Sequence, residues 1–418
     1  MDKHAKLITR EDVVWNQKET LRPPPYTGSL KKYLKGIEIG DGLIDSLPTS
    51  QLLCHGLKSK NDYAVIHMPT PIWVNWEQVR RGQDLWMKNL GRAYQSLGLA
   101  LLVGFSISRF AEVLYHNGYA QSAKTAFDRY NATGHAIVDW FRYDLSDRTS
   151  RGRVSIDMVR RMHGLARRNS RKLFDPAKGE GVPLSQYDMA EVLLGFAIVT
   201  ISIIEDSMGI KFSLQEKTDM TACWRIIGYY LGILDEYNPC KSWQELEACF
   251  EDYMQRTPDR LLSPRPCTFE LQRTAIQGFG MGTGLGKEFW YGVHAIQLEG
   301  LERRGIVFDK VNILHREPKP GMLAIARGVF YLLRFDLVNK FISALVLRAR
   351  DLNEENKPGA EKLFQVMSIA SSVHDKILWR IYSVVYIVRK LIFFSVLSYV
   401  FLRRKSKMTN ILKRLLNV

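Results

Sequence analysis

The chain has 418 residues, 46% of them hydrophobic, with 59 Lys and Arg against 43 Asp and Glu. That length suggests about two domains, or one large one with extensions, and the apolar fraction excludes disorder over most of the chain. The formal charge of +16 favours an anionic partner: nucleic acid, an acidic membrane face or an acidic cofactor.

Residues 1–79 read as an N-terminal arm, interrupted by Pro23, Pro24 and Pro25 and carrying the basic pair Lys31-Lys32. The first stretch is charged and polar with no apolar core, so no conventional secretory leader is expected. Residues 80–345 read as one helical domain, almost without alternating strand-like runs, which argues for an all-α fold. A helix is expected over 96–116. Another is expected over 154–170, where Met158, Val159, Met162, Leu165 and Ala166 share one apolar face. Ser185-x-x-Asp188 resembles a capping box opening a long apolar helix through Ile204, with Gly209 as its stop. Its apolar run over 189–204 is shorter than the roughly 20 residues a membrane span needs and contains Glu191, so it reads as a buried core helix. Ser213-x-x-Glu216 opens the next helix, which runs to about Gly232. Proline-rich breaks fall at 258–266 and 317–320.

Residues 346–418 read as a basic, apolar tail. Between 381 and 402 there are 14 Leu, Ile, Val and Phe residues, interrupted by Arg389-Lys390. Their insertion is favoured by roughly 4–8 kcal/mol and opposed by roughly 5–7 kcal/mol for the two charges. The terms nearly cancel, so 377–402 either spans or lies on a bilayer. The basic run Arg403, Arg404, Lys405 and Lys407 suits an anionic membrane surface.

Several other patterns do not lead to a site. The five cysteines (Cys54, Cys223, Cys240, Cys249 and Cys267) are scattered, none in a CxxC pair, which argues against a disulfide framework or a structural zinc. The run Gly278-Phe279-Gly280-Met281-Gly282-Thr283-Gly284-Leu285-Gly286-Lys287 matches neither a Walker loop nor GxGxxG, and reads as a flexible connector. No nucleic-acid signature is present, so nucleic acid is not the expected partner.

Of the nine histidines, His163 stands apart. It borders the apolar face of the 154–170 helix among Arg153, Arg160, Arg161, Arg167 and Arg168. An imidazole facing an apolar pocket with guanidinium groups at the rim suits a haem: the ring ligates iron and arginines neutralise propionates. Arg129 and Thr133, four apart on one helical face, precede His163 by 34 and 30 residues. Two neighbouring helices would thus present all three to one cavity. Upstream, Glu112 lies on a mostly apolar helix, where a carboxylate is a candidate base. For each of these residues a plain ion pair or solvated face is the structural alternative.

Four motifs occur in order: Arg129-x-x-x-Thr133; Val159-Arg160-x-Met162-His163-Gly164-x-Ala166-Arg167; Gln186-x-Asp188-Met189 leading to Phe196; and Trp224-Arg225-x-x-Gly228-x-x-Leu231-Gly232-Ile233. Together they resemble the catalytic domain shared by latex-clearing rubber oxygenases and the endoplasmic-reticulum oxygenase of mycophenolic acid biosynthesis, over roughly 80–340. The resemblance implies a globin-like all-α core holding one haem b and its iron. It also implies oxidative cleavage of an isoprenoid or similar lipid-like double bond with O2. By motif, His163 matches the proximal iron ligand, and Arg129 and Thr133 match a polar pair in the haem pocket. Glu112 falls one position from the family's proposed base. Ala132 stands where some rubber oxygenases have a lysine that reaches the distal iron site. With the basic tail, this implies a membrane-associated enzyme, its catalytic domain facing the cytoplasm, at the endoplasmic reticulum or a similar membrane. Two alternatives stay open: a haem protein with another role, such as a sensor or peroxidase, and a non-catalytic helical scaffold at the membrane.

Overall fold

The computed structural model of the protein describes residues 68–105, 107–118, 122–174, 182–256, 266–303, 321–354, 365 and 367–374. The N-terminal arm up to residue 67, Cys54, most of both proline-rich breaks and the apolar stretch 377–402 lie outside the described residues. Within them the regular elements are helices, as the sequence pattern implies: α1 Trp76–Lys88, α2 Leu90–Gly104, α3 Ser108–His116, α4 Ala123–Arg142 and α5 Arg151–Ser170. There follow α6 Gln186–Leu194, a π-helical turn Gly195–Val199, α7 Thr200–Met208, α8 Leu214–Tyr230 and α9 Trp243–Arg256. The last are α10 Pro266–Thr283, α11 Gly286–Glu302, α12 Met322–Leu332 and α13 Asp336–Glu354, which runs on across residue 345.

Short polar side chains start these helices. Ser185 and Ser213 accept from the backbone N–H of Asp188 and Glu216, whose carboxylates accept in return from the serine N–H groups. Each capping box satisfies donors that a helix start leaves orphaned. Gly209, at φ 71°, ends α7 in the left-handed conformation that glycine adopts without penalty. The run 186–208 is long and apolar enough to cross a membrane, the one such helix among the described residues. However, 61% of its most apolar window is buried inside the molecule, and core residues Leu193, Ala197, Ile198 and Ile201 come from it. It packs as a core helix by that burial and not by its length, since the expected 189–204 run is part of a helix of 23 residues.

Three expectations change. The helix expected over 96–116 is two helices, α2 and α3, with a break after Gly104. The glycine-rich run is not a connector. Gly278, Gly280 and Gly282 lie inside α10, and only Gly284 and Gly286, at φ 71° and 76°, form the turn into α11. A Cβ on Gly282 would overlap the Phe127 ring, and one on Gly278 would meet the Ala123 carbonyl at 2.5 Å. Bare glycines therefore let α10 lie directly on α4. Finally, the apolar stripe of α5 faces outward at its centre, with Met158 56% and Met162 38% exposed. The buried face carries Gly152, Arg153, Ile156, Arg160, Gly164 and Arg167.

Packing centres on α2 and α4. Helix α4 lies against α1, α5 and α10; α2 lies against α7, α11 and α13. Polar bonds close the C-terminal helices onto this centre. Arg92, buried on α2, donates to the Leu333 and Arg334 carbonyls at 2.8 and 2.9 Å and to Asp336 at 2.8 Å. Arg350 on α13 pairs with buried Asp139 on α4 at 2.6 Å.

Candidate haem site and apolar cavity

Helices α4 and α5 pack side by side and bring together residues from distant motifs. On α4, Arg129 and Thr133 are one turn apart, and the Arg129 guanidinium donates to the Thr133 hydroxyl. That hydroxyl also reaches back to the Arg129 carbonyl at 3.2 Å, so the pair forms one unit. On α5, His163 lies three residues after Arg160 and four before Arg167, beside the buried stripe. Burial, reinforced by the positive charges of Arg129 and Arg167, pulls its pKa from 6.5 down to about 3. The imidazole is therefore neutral at physiological pH, with a lone pair on one nitrogen.

The arginines are not a rim. Arg153, Arg160 and Arg167 are each 1% exposed. Arg153 stacks on the Tyr230 ring, 3.4 Å from its centroid. Arg167 donates through Nε to the Pro183 carbonyl at 2.9 Å and through Nη2 to the Leu184 carbonyl. Leu184 has φ 49°, a strained conformation for a side-chain-bearing residue, and Arg167 clamps it just before the Ser185 cap. Arg161 and Arg168 are exposed. The signal was in the spacing: Arg153, Arg160 and Arg167 recur every seven residues, two helical turns, and so share one face.

Glu112 is half-buried on α3, two residues past Phe110. Phe110 belongs to the wall of an apolar cavity of about 450 Å³, within the usual range for small-molecule sites. Its walls come from α2 (Leu99, Val103), the α6–α7 run (Glu191, Phe196, Ile203), α9 (Tyr253) and α11. The π turn contributes Gly195, Phe196 and Val199 to the lining; an inserted residue of this kind re-aims a helix face and often marks a functional site. His163, Arg129, Thr133 and Glu112 are not in that lining, so the cavity adjoins α3 rather than opening on the imidazole. An apolar tunnel between buried helices is what the sequence leads one to expect, but it could not name the lining, because each wall residue looks like ordinary core.

Other motif residues are structural. Gln186 donates to the Gly232 carbonyl at 3.0 Å and accepts from the Leu234 N–H at 3.0 Å, tying α6 to the turn after α8. Arg225 pairs with Asp235 at 2.8 Å and stacks over Trp73.

Residues 92–278 match the model of a family described as ER-bound oxygenase mpaB/B'/Rubber oxygenase, catalytic domain. This chain resembles the rubber oxygenase catalytic domain. The matched stretch takes in Glu112, Arg129, Thr133 and His163, and it bears out the resemblance carried by the four motifs. The match is one of oxygenases, and the domain is all-α as that reading required. Among solved structures, latex clearing protein LCP in the closed state is similar, at 17% identity and a TM-score of 0.47, covering 72% of this chain and 76% of that one. No curated protein matches this chain.

The rubber oxygenase resemblance implies a haem, and the donor set at α4–α5 fits one. His163 is held neutral with a nitrogen lone pair, and the positive charges of Arg129 and Arg167 influence it directly, as an anionic porphyrin requires. Among the described residues no group of three or more His, Cys, Asp or Glu is placed to hold a bare metal ion.

Proposed function

We propose that this protein is a haem b-dependent oxygenase that uses O2 to cleave a carbon–carbon double bond in an isoprenoid or other unsaturated lipid-like substrate. The observation that carries this reading is His163: a half-buried imidazole kept neutral beside two guanidinium groups, inside the stretch matched to the oxygenase catalytic domain. His163 would ligate the iron, Arg129 and Arg160 would face propionate charge, and Arg167 would hold the loop that ends in the Ser185 cap. The haem, when bound, supplies the activation of dioxygen that amino-acid side chains lack.

The chain's own residues do the rest. Thr133 fixes the Arg129 guanidinium, so that charge is positioned before the substrate arrives. Glu112 would accept an allylic proton from the substrate. The apolar cavity holds the hydrocarbon and excludes water, each buried CH₂ contributing about 0.8 kcal/mol. The basic tail would hold the enzyme at the membrane where such substrates dissolve.

The test is an absorption spectrum. Purified wild-type protein reconstituted with haem should show a Soret band, and His163→Ala protein should lose it. Retention of full haem by His163→Ala would overturn the ligand assignment. A second reading is favoured by one observation, that the cavity lining omits His163: a lipid-binding scaffold without haem. It predicts no Soret band in either protein. For the tail, a chain ending at residue 372 should leave the membrane fraction that the whole chain occupies.

A further inference from the structure

Helix α13 departs from the usual surface helix, which turns charged residues to water and an apolar stripe to the core. Its polar side chains reach inward. Asn339 donates to the Lys88 carbonyl at 2.8 Å and accepts from the Arg92 N–H at 3.1 Å. The Ser343 hydroxyl accepts from the Gly91 N–H at 2.9 Å, and Arg350 pairs with Asp139. These bonds are spread over about three turns and fix the rotation of the helix about its axis. What they leave outside is apolar. Leu337, Phe341 and Leu345, each four positions from the next and so on one face, are 81%, 62% and 51% exposed. Tyr331, Leu332 and Phe335, where α12 turns into α13, are exposed too, and the Tyr331 and Phe335 rings meet edge to face at 5.9 Å. Large apolar side chains scattered singly over a surface are ordinary; gathered on one face they mark an interaction site.

The rim of this face has one sign. Arg334, Lys340 and Arg348 are exposed along it. The one acid of residues 321–350, Asp336, is bound by Arg92 at 2.8 Å. The occupant must therefore offer hydrocarbon and negative charge together. The chain's own apolar stretch 377–402 contains Arg380, Arg389 and Lys390 and runs into Arg403, Arg404 and Lys405, so it meets the rim with like charge. A second copy brings the same basic rim. A bilayer with anionic lipids supplies both requirements.

We propose that the Tyr331–Leu345 face docks the helical domain on the surface of an anionic bilayer. Leu337, Phe341 and Leu345 enter below the head groups, and Lys340 and Arg348 meet lipid phosphates and carboxylates. This contact is separate from the tail, and it lies beyond the residues 92–278 that match the oxygenase family. It also orients the cavity. Phe330 of α12 is 5% exposed and belongs to the cavity lining, whereas its neighbours Tyr331 and Leu332 face out, so α12 is a wall common to both. Only here does the proposal rest on the oxygenase reading: an apolar substrate dissolved in the bilayer reaches the cavity past α12 without entering bulk water.

The test is hydroxyl-radical footprinting of the full-length chain, read at single side chains by mass spectrometry. It is run in buffer, on phosphatidylcholine vesicles, and on vesicles with about a third phosphatidylserine. In buffer all the exposed side chains should react. On phosphatidylserine vesicles Phe335, Leu337 and Phe341 should be protected, while Tyr115 on α3 and Leu214 on α8, also exposed, keep their reactivity; phosphatidylcholine alone should protect less. Lys340→Glu combined with Arg348→Glu should weaken docking about twenty-fivefold or more, each basic side chain being worth about fivefold at such a surface, and so restore reactivity at Leu337 and Phe341. Vesicle-bound chain whose Leu337 and Phe341 stay reactive is held by its tail alone, which overturns the proposal. Protection already complete in buffer assigns the face to the tail or to a second copy, and overturns it as well. Equal protection by the two kinds of vesicle, or a chain that binds neither, does the same. These readings are made on wild-type protein, so a misfolded variant does not rescue the idea. Docking by protein with no Soret band keeps this proposal and removes the haem reading.

Discussion

Arg109 and Asp188 show how one side-chain pair holds two elements of the site. Arg109 on α3 meets Asp188 on α6 through two bonds of 2.8 and 3.0 Å, donates to the Val182 carbonyl at 2.8 Å and stacks on Phe174. Burial pushes the Asp188 carboxyl up, but the Arg109 charge and the hydrogen bonds from Arg109 and Ser185 outweigh it and leave the pKa below 3.8. Breaking a buried pair from one side strands a charge. Arg109→Ala should lower the unfolding free energy by about 3–5 kcal/mol, measured by urea denaturation, and Arg109→Leu combined with Asp188→Leu should recover part of it. If the single and double variants lose the same amount, the stranded charge is not the cause. At this scale the sequence was legible where its grammar is local. Ser185-x-x-Asp188 and Ser213-x-x-Glu216 cap as read, because a capping box needs only its own four residues. The ion pair of Asp188 was not legible, because its partner lies 79 positions away. The three buried arginines of α5 were misread as a rim because charge suggests solvent, although their sevenfold spacing already placed them on one face.

The seam between α4 and α10 shows the limit of pattern reading for whole elements. Five glycines in nine positions look like a loop when chain neighbours alone are considered. Their reason is tertiary: α10 approaches α4 so closely that Gly282 has the Phe127 ring where a Cβ would be. Glycine inside a helix is worth roughly 0.5–1 kcal/mol less than alanine, and close packing here offsets that loss. Gly282→Ala should therefore destabilise the fold, by about 1–3 kcal/mol as overpacking does, rather than stabilise it as helix propensity predicts. Thermal unfolding decides the sign, and Phe127→Ala in the same chain should restore part of the stability. The α6–α7 run behaves in the opposite way. Its apolar length and caps were readable, and so was its burial. Its π turn was not, because an inserted residue leaves no mark in composition, yet that turn supplies much of the cavity wall.

For the whole molecule, acid sensitivity follows from the core. His135 is buried on α4, and burial, opposed only in part by the Asp351 charge, lowers its pKa from 6.5 to about 4. The unfolded chain takes up a proton there as pH falls below about 6.5, while the folded chain does not until about 4. The stability contributed is therefore complete above pH 6.5 and declines across that window. His135→Gln should flatten the dependence between pH 6.5 and 4 in urea melts taken across that range; an unchanged slope would assign the loss to other groups. The all-α architecture was readable throughout, because helical periodicity and the lack of alternating runs are distributed signals. What joins the helices was not. Arg92 reaches Leu333, and Asn339 accepts the Arg92 N–H and donates to the Lys88 carbonyl. These bonds link chain positions 241 to 251 residues apart. On a ribosome adding about 5–20 residues per second, the first helices emerge roughly 12–50 seconds before their last partners. Until α12 and α13 arrive to close the bundle, a newborn chain carries Arg92 solvated by water and leaves open the face of α2 that α13 covers.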